Sequence, residues 1–229
     1  MPVSLGEDIR WIFGGFILAF VVAELAKALG ATFLHAKAED RGPRLAHLGY
    51  TLAVIVMSFW GWSIAIKGGL YAELRQNASL FQYSNWLFLV DIGIFMTYYV
   101  LLVGIEHAGM PAAKWALRCT VAVFAGYLVW DLIVALRQID SSTSWRHVAA
   151  SAFCAAFASV AAWRLRKARN VQKAIYGSYV ALFLLMLAFR FMTVTIHAST
   201  PMDVGIFRGL WILCVIASGM LVYFARTAR

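Results

Sequence analysis

The chain has 229 residues, 62% of them hydrophobic and 14% charged, with a net charge of +9 and a mean hydropathy of +0.76. Soluble domains average about 45–50% apolar residues, so water is excluded as the main solvent, and the lipid bilayer takes its place. No proline- or glycine-rich linker divides the chain, which reads as a single domain, 1–229.

An apolar run of about 20 residues crosses the roughly 30 Å hydrocarbon core, and seven such runs follow one another. The first, 11–36, comes after Glu7, Asp8 and Arg10. It lacks a basic leader and exceeds signal-peptide length, so it reads as a span rather than a cleavable signal. It carries Glu24 and Lys27, three residues apart and able to pair on one helix face. Glu39-Asp40-Arg41-Gly42-Pro43-Arg44 then forms a connection before the second run, 46–66. The third run, 85–106, contains Asp91 and ends at the turn signal Gly109-Met110-Pro111. The fourth, 114–136, contains Asp131. The fifth, 147–163, is short and alanine-rich, and Trp163-Arg164 stops it sharply. The sixth, 172–198, holds Arg190, and the seventh, 204–225, holds Arg208 with Asp203 at its mouth. The expected fold is all-α: a polytopic bundle of seven transmembrane helices, with consecutive helices antiparallel, in the cell membrane.

Lys and Arg of short loops are held on the cytoplasmic side. One side collects Lys37, Arg41, Arg44, Lys114, Arg118, Arg164, Arg166, Lys167, Arg169, Lys173, Arg226 and Arg229, and the other only Arg10, Lys67, Arg75, Arg137 and Arg146. Twelve against five places the C-terminus in the cytoplasm and, with seven spans, the N-terminus outside. These charges sit in separate juxtamembrane loops, so they suit anionic lipid headgroups and not nucleic acid.

Charges within a span mark function or helix packing, because lipid cannot solvate them. Glu24 and Lys27 can neutralise each other. Asp131, Arg190, Asp203 and Arg208 fall in the outer halves of their spans and can form one network between the fourth, sixth and seventh helices, as packing glue or as an ion path. Cys119, Cys154 and Cys214 are widely spaced inside apolar runs and read as buried small hydrophobes. His35, His47, His107, His147 and His197 lie near span ends, where interfacial solvation accounts for them. No HExxH, nucleophile elbow or carboxylate–histidine cluster is visible, so no enzymatic activity is expected.

The stretch Gln82-Tyr83-Ser84-Asn85-Trp86-Leu87-Phe88 resembles the Arg-Tyr-Ala-Asp-Trp-Leu-Phe of the third helix of microbial rhodopsins, matching four of seven positions. In the sixth run, Tyr176-Gly177-Ser178-Tyr179-Val180-Ala181-Leu182-Phe183 is similar to that family's Trp-Ser-Ala-Tyr-Pro-Val-Val-Trp. Met202-Asp203-Val204 is similar to its Leu-Asp-Val. The resemblance spans about half the chain and implies a chromophore-pocket-like set of Trp86, Tyr176, Tyr179, Phe183 and Phe207.

The same resemblance exposes what is missing. Phe207 stands where the family has its retinal-binding lysine, and a Schiff base requires a deprotonatable amine, which neither Phe207 nor Arg208 offers. The proton-relay positions are Gln82, Asn85, Leu89 and Met96, none of which titrates. Asp203 alone keeps its counter-ion position. The implied protein is therefore retinal-free, without covalent cofactor or light-driven proton pumping. It would act as a structural or regulatory partner in homo- or hetero-oligomers, a trimer being the family habit, including with a lysine-bearing rhodopsin. The small residues Ala149, Ala152, Ala156 and Ser159 of the fifth run suit either such an interface or packing inside the bundle. Two alternatives stand beside this reading. One is noncovalent binding of retinal or a carotenoid in the aromatic set. The other is a small seven-helix transporter or channel that uses Glu24, Asp91 and Asp131 in a polar path.

Overall fold

A computed structural model describes residues 5–67, 83–107, 109–136, 141–169, 171–195 and 201–227. These residues form seven long α-helices: α1 (Leu5–His35), α2 (Ala38–Lys67), α3 (Tyr83–Val103), α4 (Met110–Leu136), α5 (Ser141–Leu165), α6 (Gln172–Thr195) and α7 (Pro201–Thr227). The fold is thus all-α, and each helix covers most of one apolar run, although the first run ends one residue beyond α1, the third continues through the 3₁₀ segment Gly104–Glu106, and the end of the sixth lies outside the described residues. The helices extend past the apolar runs at most ends, and the short fifth run is part of a 25-residue helix.

Among the described residues, five helices are long and apolar enough to cross a bilayer, over Gly14–His35, Trp86–Val103, Met110–Leu136, Trp145–Leu165 and Gln172–Thr193. A shorter apolar stretch, Arg208–Phe224, occupies most of α7. A chain with five such helices is a multi-pass membrane protein, because a backbone that satisfies its own hydrogen bonds is what lipid admits.

Local chemistry explains several helix boundaries. Gly109 adopts φ 76°, a left-handed conformation that favours glycine, and so turns the chain out of the 3₁₀ segment Gly104–Glu106. Pro111 then stands in the first turn of α4, where its missing N–H leaves no helical bond unmade. Glu39-Asp40-Arg41-Gly42-Pro43-Arg44, expected from its turn and charge residues to be a connection, instead belongs to α2, with Glu39 and Asp40 in its first turn, where the helix dipole favours anions.

The most extensive pairings are α4 with α5 and α6 with α7, followed by α3 with α4 and α2 with α6. Phe124, Phe189, Leu117, Leu182 and Leu185 fill the centre. By contrast α1 leans lightly on α2 and α3, with 17% of its apolar stretch buried. Lys114 Nζ donates to the carbonyl oxygens of Arg166 (3.1 Å) and Ala168 (2.8 Å), and Tyr176 packs against Gly42. The α1–α2, α3–α4 and α5–α6 connections, with the basic residues in them and in the helix turns beside them, therefore gather at one end of the bundle.

On α5 the face turned inward consists of Ala150, Cys154, Ala158 and Ala161. Ala149, Ala156 and Ser159 are exposed, and Ala152 is half-buried. Of the two packings open to these small residues, burial within the bundle is taken by the neighbouring set. Cys119, Cys154 and Cys214 are buried free thiols.

Candidate functional site: a polar cavity inside the bundle

Two polar centres lie in the apolar interior, and they differ in whether their hydrogen bonds are complete. Near the basic end, His47 is fully buried on α2. Its Nε2–H donates to the Leu101 carbonyl at 2.8 Å, since a carbonyl only accepts. Nδ1 then accepts from the Tyr179 hydroxyl at 2.7 Å. One imidazole thus ties α2, α3 and α6. Beside it Thr120 Oγ1 donates to the Ala116 carbonyl at 2.7 Å, which leaves it to accept from the Tyr50 hydroxyl at 2.5 Å. Each polar side-chain atom of this centre has a partner. Span-end solvation does not account for His47, whose role is helix packing.

Eleven residues further along α6, about 16 Å at 1.5 Å per residue, lies the second centre. It is a cavity of about 90 Å³ whose lining includes Ser58 and Gly61 of α2, Asp91 and Tyr98 of α3, Tyr127, Trp130 and Asp131 of α4, His147 of α5, and Arg190 of α6. Arg190 donates from Nη2 to the Tyr127 hydroxyl at 3.0 Å, and its Cζ lies 5.3 Å from that ring's centroid, within cation–π range. Ser151 donates its hydroxyl proton to Asp131 Oδ2. Asp91, Asp131 and Arg190 are each 7% exposed, so three ionisable side chains share a largely buried site.

Four further buried atoms of the lining make no hydrogen bond of good geometry: Ser58 Oγ and Tyr98 OH, which are close neighbours, Trp130 Nε1 and Arg190 Nε. Interior polar groups are almost always paired with protein or ordered water. Four such atoms around one cavity, from four helices, therefore mark a place for water or a water-sized polar guest. At roughly 30 Å³ per molecule, the volume suits about three waters.

The charged residues singled out by sequence do not form a single network. Asp131 and Arg190 reach the same cavity, and Asp91 joins them. Arg208 is exposed on α7, away from this cavity's lining. The Asp203 and Phe207 side chains lie outside the described residues, although both positions belong to α7. Glu24 and Lys27 pair with each other at 2.6 Å on α1. His147, which sequence placed at an interface, lines the cavity, as do Tyr98, Tyr127, Trp130 and Ser58, which no sequence signal singled out.

The four described side chains of the aromatic set do not face one way. Trp86 is 50% exposed on α3 and Phe183 38% on α6, while Tyr179 points inward to His47. Tyr176 is half-buried against Gly42. Leu89 and Met96 lie on the same outward face of α3 as Trp86, opposite Asp91. The Asn85 side chain and Gln82 are outside the described residues. A polyene site normally needs about 300 Å³ or more, well above the polar cavity. A larger apolar groove of about 390 Å³ runs between α1 and α3, but its lining includes none of Trp86, Tyr176, Tyr179 and Phe183. Among the described residues no three His, Cys, Asp or Glu side chains converge to hold a metal ion.

No known protein family, curated protein or solved structure matches the chain. The class defined by the fold is a multi-pass helical membrane protein.

Proposed function

We propose that this chain is a small membrane transporter or channel that takes protons into the interior cavity through Asp91 and Asp131. The observation that carries the reading is the pair of carboxylates on one cavity whose lining also holds four buried polar atoms without a hydrogen bond of good geometry. Carboxylates exchange protons with water, and waters held by Ser58, Tyr98 and Trp130 supply the relay between them. Arg190 lines the same cavity and supplies a fixed positive charge beside the two carboxylates. The basic-rich end of the bundle faces the cytoplasm in this reading, which puts the cavity in the outer half of the membrane.

The test is reconstitution in liposomes containing a pH-sensitive dye, with a potassium diffusion potential as driving force. The expected result is dye acidification well above empty liposomes, reduced at least tenfold by Asp91→Asn and by Asp131→Asn. Flux equal to empty liposomes, or flux indifferent to both substitutions, rejects the reading.

A second reading, the retinal-free rhodopsin-like partner protein, is favoured by Phe207 at the lysine position and by the seven-helix count. The outward placement of Trp86 and Phe183 weighs against a noncovalent polyene site in that aromatic set.

A further inference from the structure

The Glu24–Lys27 ion pair stands in the middle of the α1 span and faces outward. In the apolar stretch Gly14–His35, Glu24 comes ten residues after the start and Lys27 eight before the end, about 12 Å from it at 1.5 Å per residue. The Lys27 side chain is 72% exposed and that of Glu24 31%. A lysine in lipid ordinarily extends its ammonium to the nearer interface. Here the 2.6 Å bond to Glu24, one turn toward the other end, holds it back at mid-depth. One bond to Glu24 leaves two of the three ammonium donors without a carboxylate, and hydrocarbon offers them nothing.

The surface around the pair fits a helix. Phe20, Glu24, Lys27 and Ala31 recur at spacings of four, three and four, the seam of a helix that packs along its length on another. One turn before Glu24, on the same side of α1, opens the apolar groove lined by Phe16, Phe20, Phe95, Met96 and Tyr99. Since α1 packs lightly on its own bundle, this side is open for a neighbour.

We infer that α1 is the interface of a two-fold dimer of this chain, in which Lys27 of each copy bonds Glu24 of the other. Charge complementarity selects a second copy over other occupants. All copies enter the membrane in one orientation, so a neighbour related by a two-fold axis along the membrane normal carries its own Glu24 and Lys27 at the same depths. The pairing is then reciprocal, and four charges close into one ring. A lipid chain has no charge at that depth.

The experiment uses the full chain in phosphatidylcholine–phosphatidylglycerol nanodiscs and native-like membranes. Wild type is expected as a dimer by mass, and Ala31→Cys is expected to cross-link by copper–phenanthroline oxidation, whereas Ala149→Cys on the outer face of α5 is not. Lys27→Glu and Glu24→Lys each place two like charges on the seam, and each alone is expected to weaken self-association at least tenfold. Co-expression of these two variants under different tags is expected to restore a mixed dimer, because one copy then carries both acids and the other both bases. Lys27→Met, which leaves no excess cation, keeps the test sound if a charge-reversed chain fails to fold: it too is expected to lose the Ala31→Cys cross-link. A wild-type monomer at all protein concentrations overturns the inference. So does cross-linking through Ala149→Cys in place of Ala31→Cys, or association that ignores both charge reversals.

Discussion

Arg190 lays its guanidinium against the backbone of Gly61, in the space that a Cβ on α2 would occupy. A glycine at that one position lets a charged side chain from α6 lie across α2 and reach Tyr127 on α4. An added Cβ there would meet Nη1, Cζ and Nη2 of Arg190, so the contact requires glycine.

Gly61→Ala is accordingly expected to displace Arg190 and to lower stability by about 1–3 kcal/mol, the usual cost of overpacking. The comparison is Gly93→Ala, where an added methyl meets nothing within 4 Å and helix propensity favours alanine. Thermal unfolding in mild detergent reads both: a lowered midpoint for the first, an unchanged or raised one for the second. Equal midpoints would contradict the contact.

Tyr98→Phe distinguishes a hydrated cavity from a dry one. If waters satisfy the Tyr98 hydroxyl, its removal costs about 0.5–1.5 kcal/mol of stability, whereas deleting an orphan in a dry cavity stabilises. The expected outcome is destabilisation, with the same sign for Trp130→Phe. A raised unfolding temperature in both variants would argue for a dry cavity.

His47→Ala strands the Leu101 carbonyl and the Tyr179 hydroxyl in the interior and opens a void between α2, α3 and α6. Each stranded group costs about 1–3 kcal/mol, so the variant is expected to be among the least stable of any single substitution in the bundle. His47→Ala with Tyr179→Phe should recover part of the loss, because one of the two stranded groups is gone. Additive losses measured in the double variant would show that the two residues are uncoupled.

Incubation with all-trans-retinal is expected to give no red-shifted Schiff-base band and no adduct after borohydride reduction, because Phe207 offers no amine. Absorption spectroscopy and intact-mass measurement check this together. A reducible adduct on any lysine would overturn it.

Reporters fused after Arg229 are expected to behave as cytoplasmic, a fluorescent protein glowing and a periplasmic phosphatase staying inactive, following the twelve-to-five bias of Lys and Arg. Moving basic residues to the opposite connections should weaken that preference. An active phosphatase at the C-terminus would reverse the assigned orientation.

What the sequence determined by itself is whatever runs along a helix axis. Apolar length marked seven helices whose bounds match those of the fold to within several residues. The Gly109-Met110-Pro111 turn was legible because a left-handed residue and a missing N–H are local demands. So was the Glu24–Lys27 pair, since a spacing of three puts both side chains on one face whatever surrounds the helix. Rotation about each axis was decided only by tertiary packing. In a soluble helix the polar side announces which face is outward, but a helix in lipid is apolar all round, and burial gains nothing over lipid contact. Hence Ala150, Cys154 and Ala158 rather than Ala149, Ala156 and Ser159 face inward on α5, and α3 turns Asp91 in while Trp86, Leu89 and Met96 turn out. Bringing Asp91, Asp131, His147 and Arg190 onto one cavity takes four helices, each at one rotation. That choice is made by side-chain fit between helices, such as the Arg190 guanidinium against Gly61.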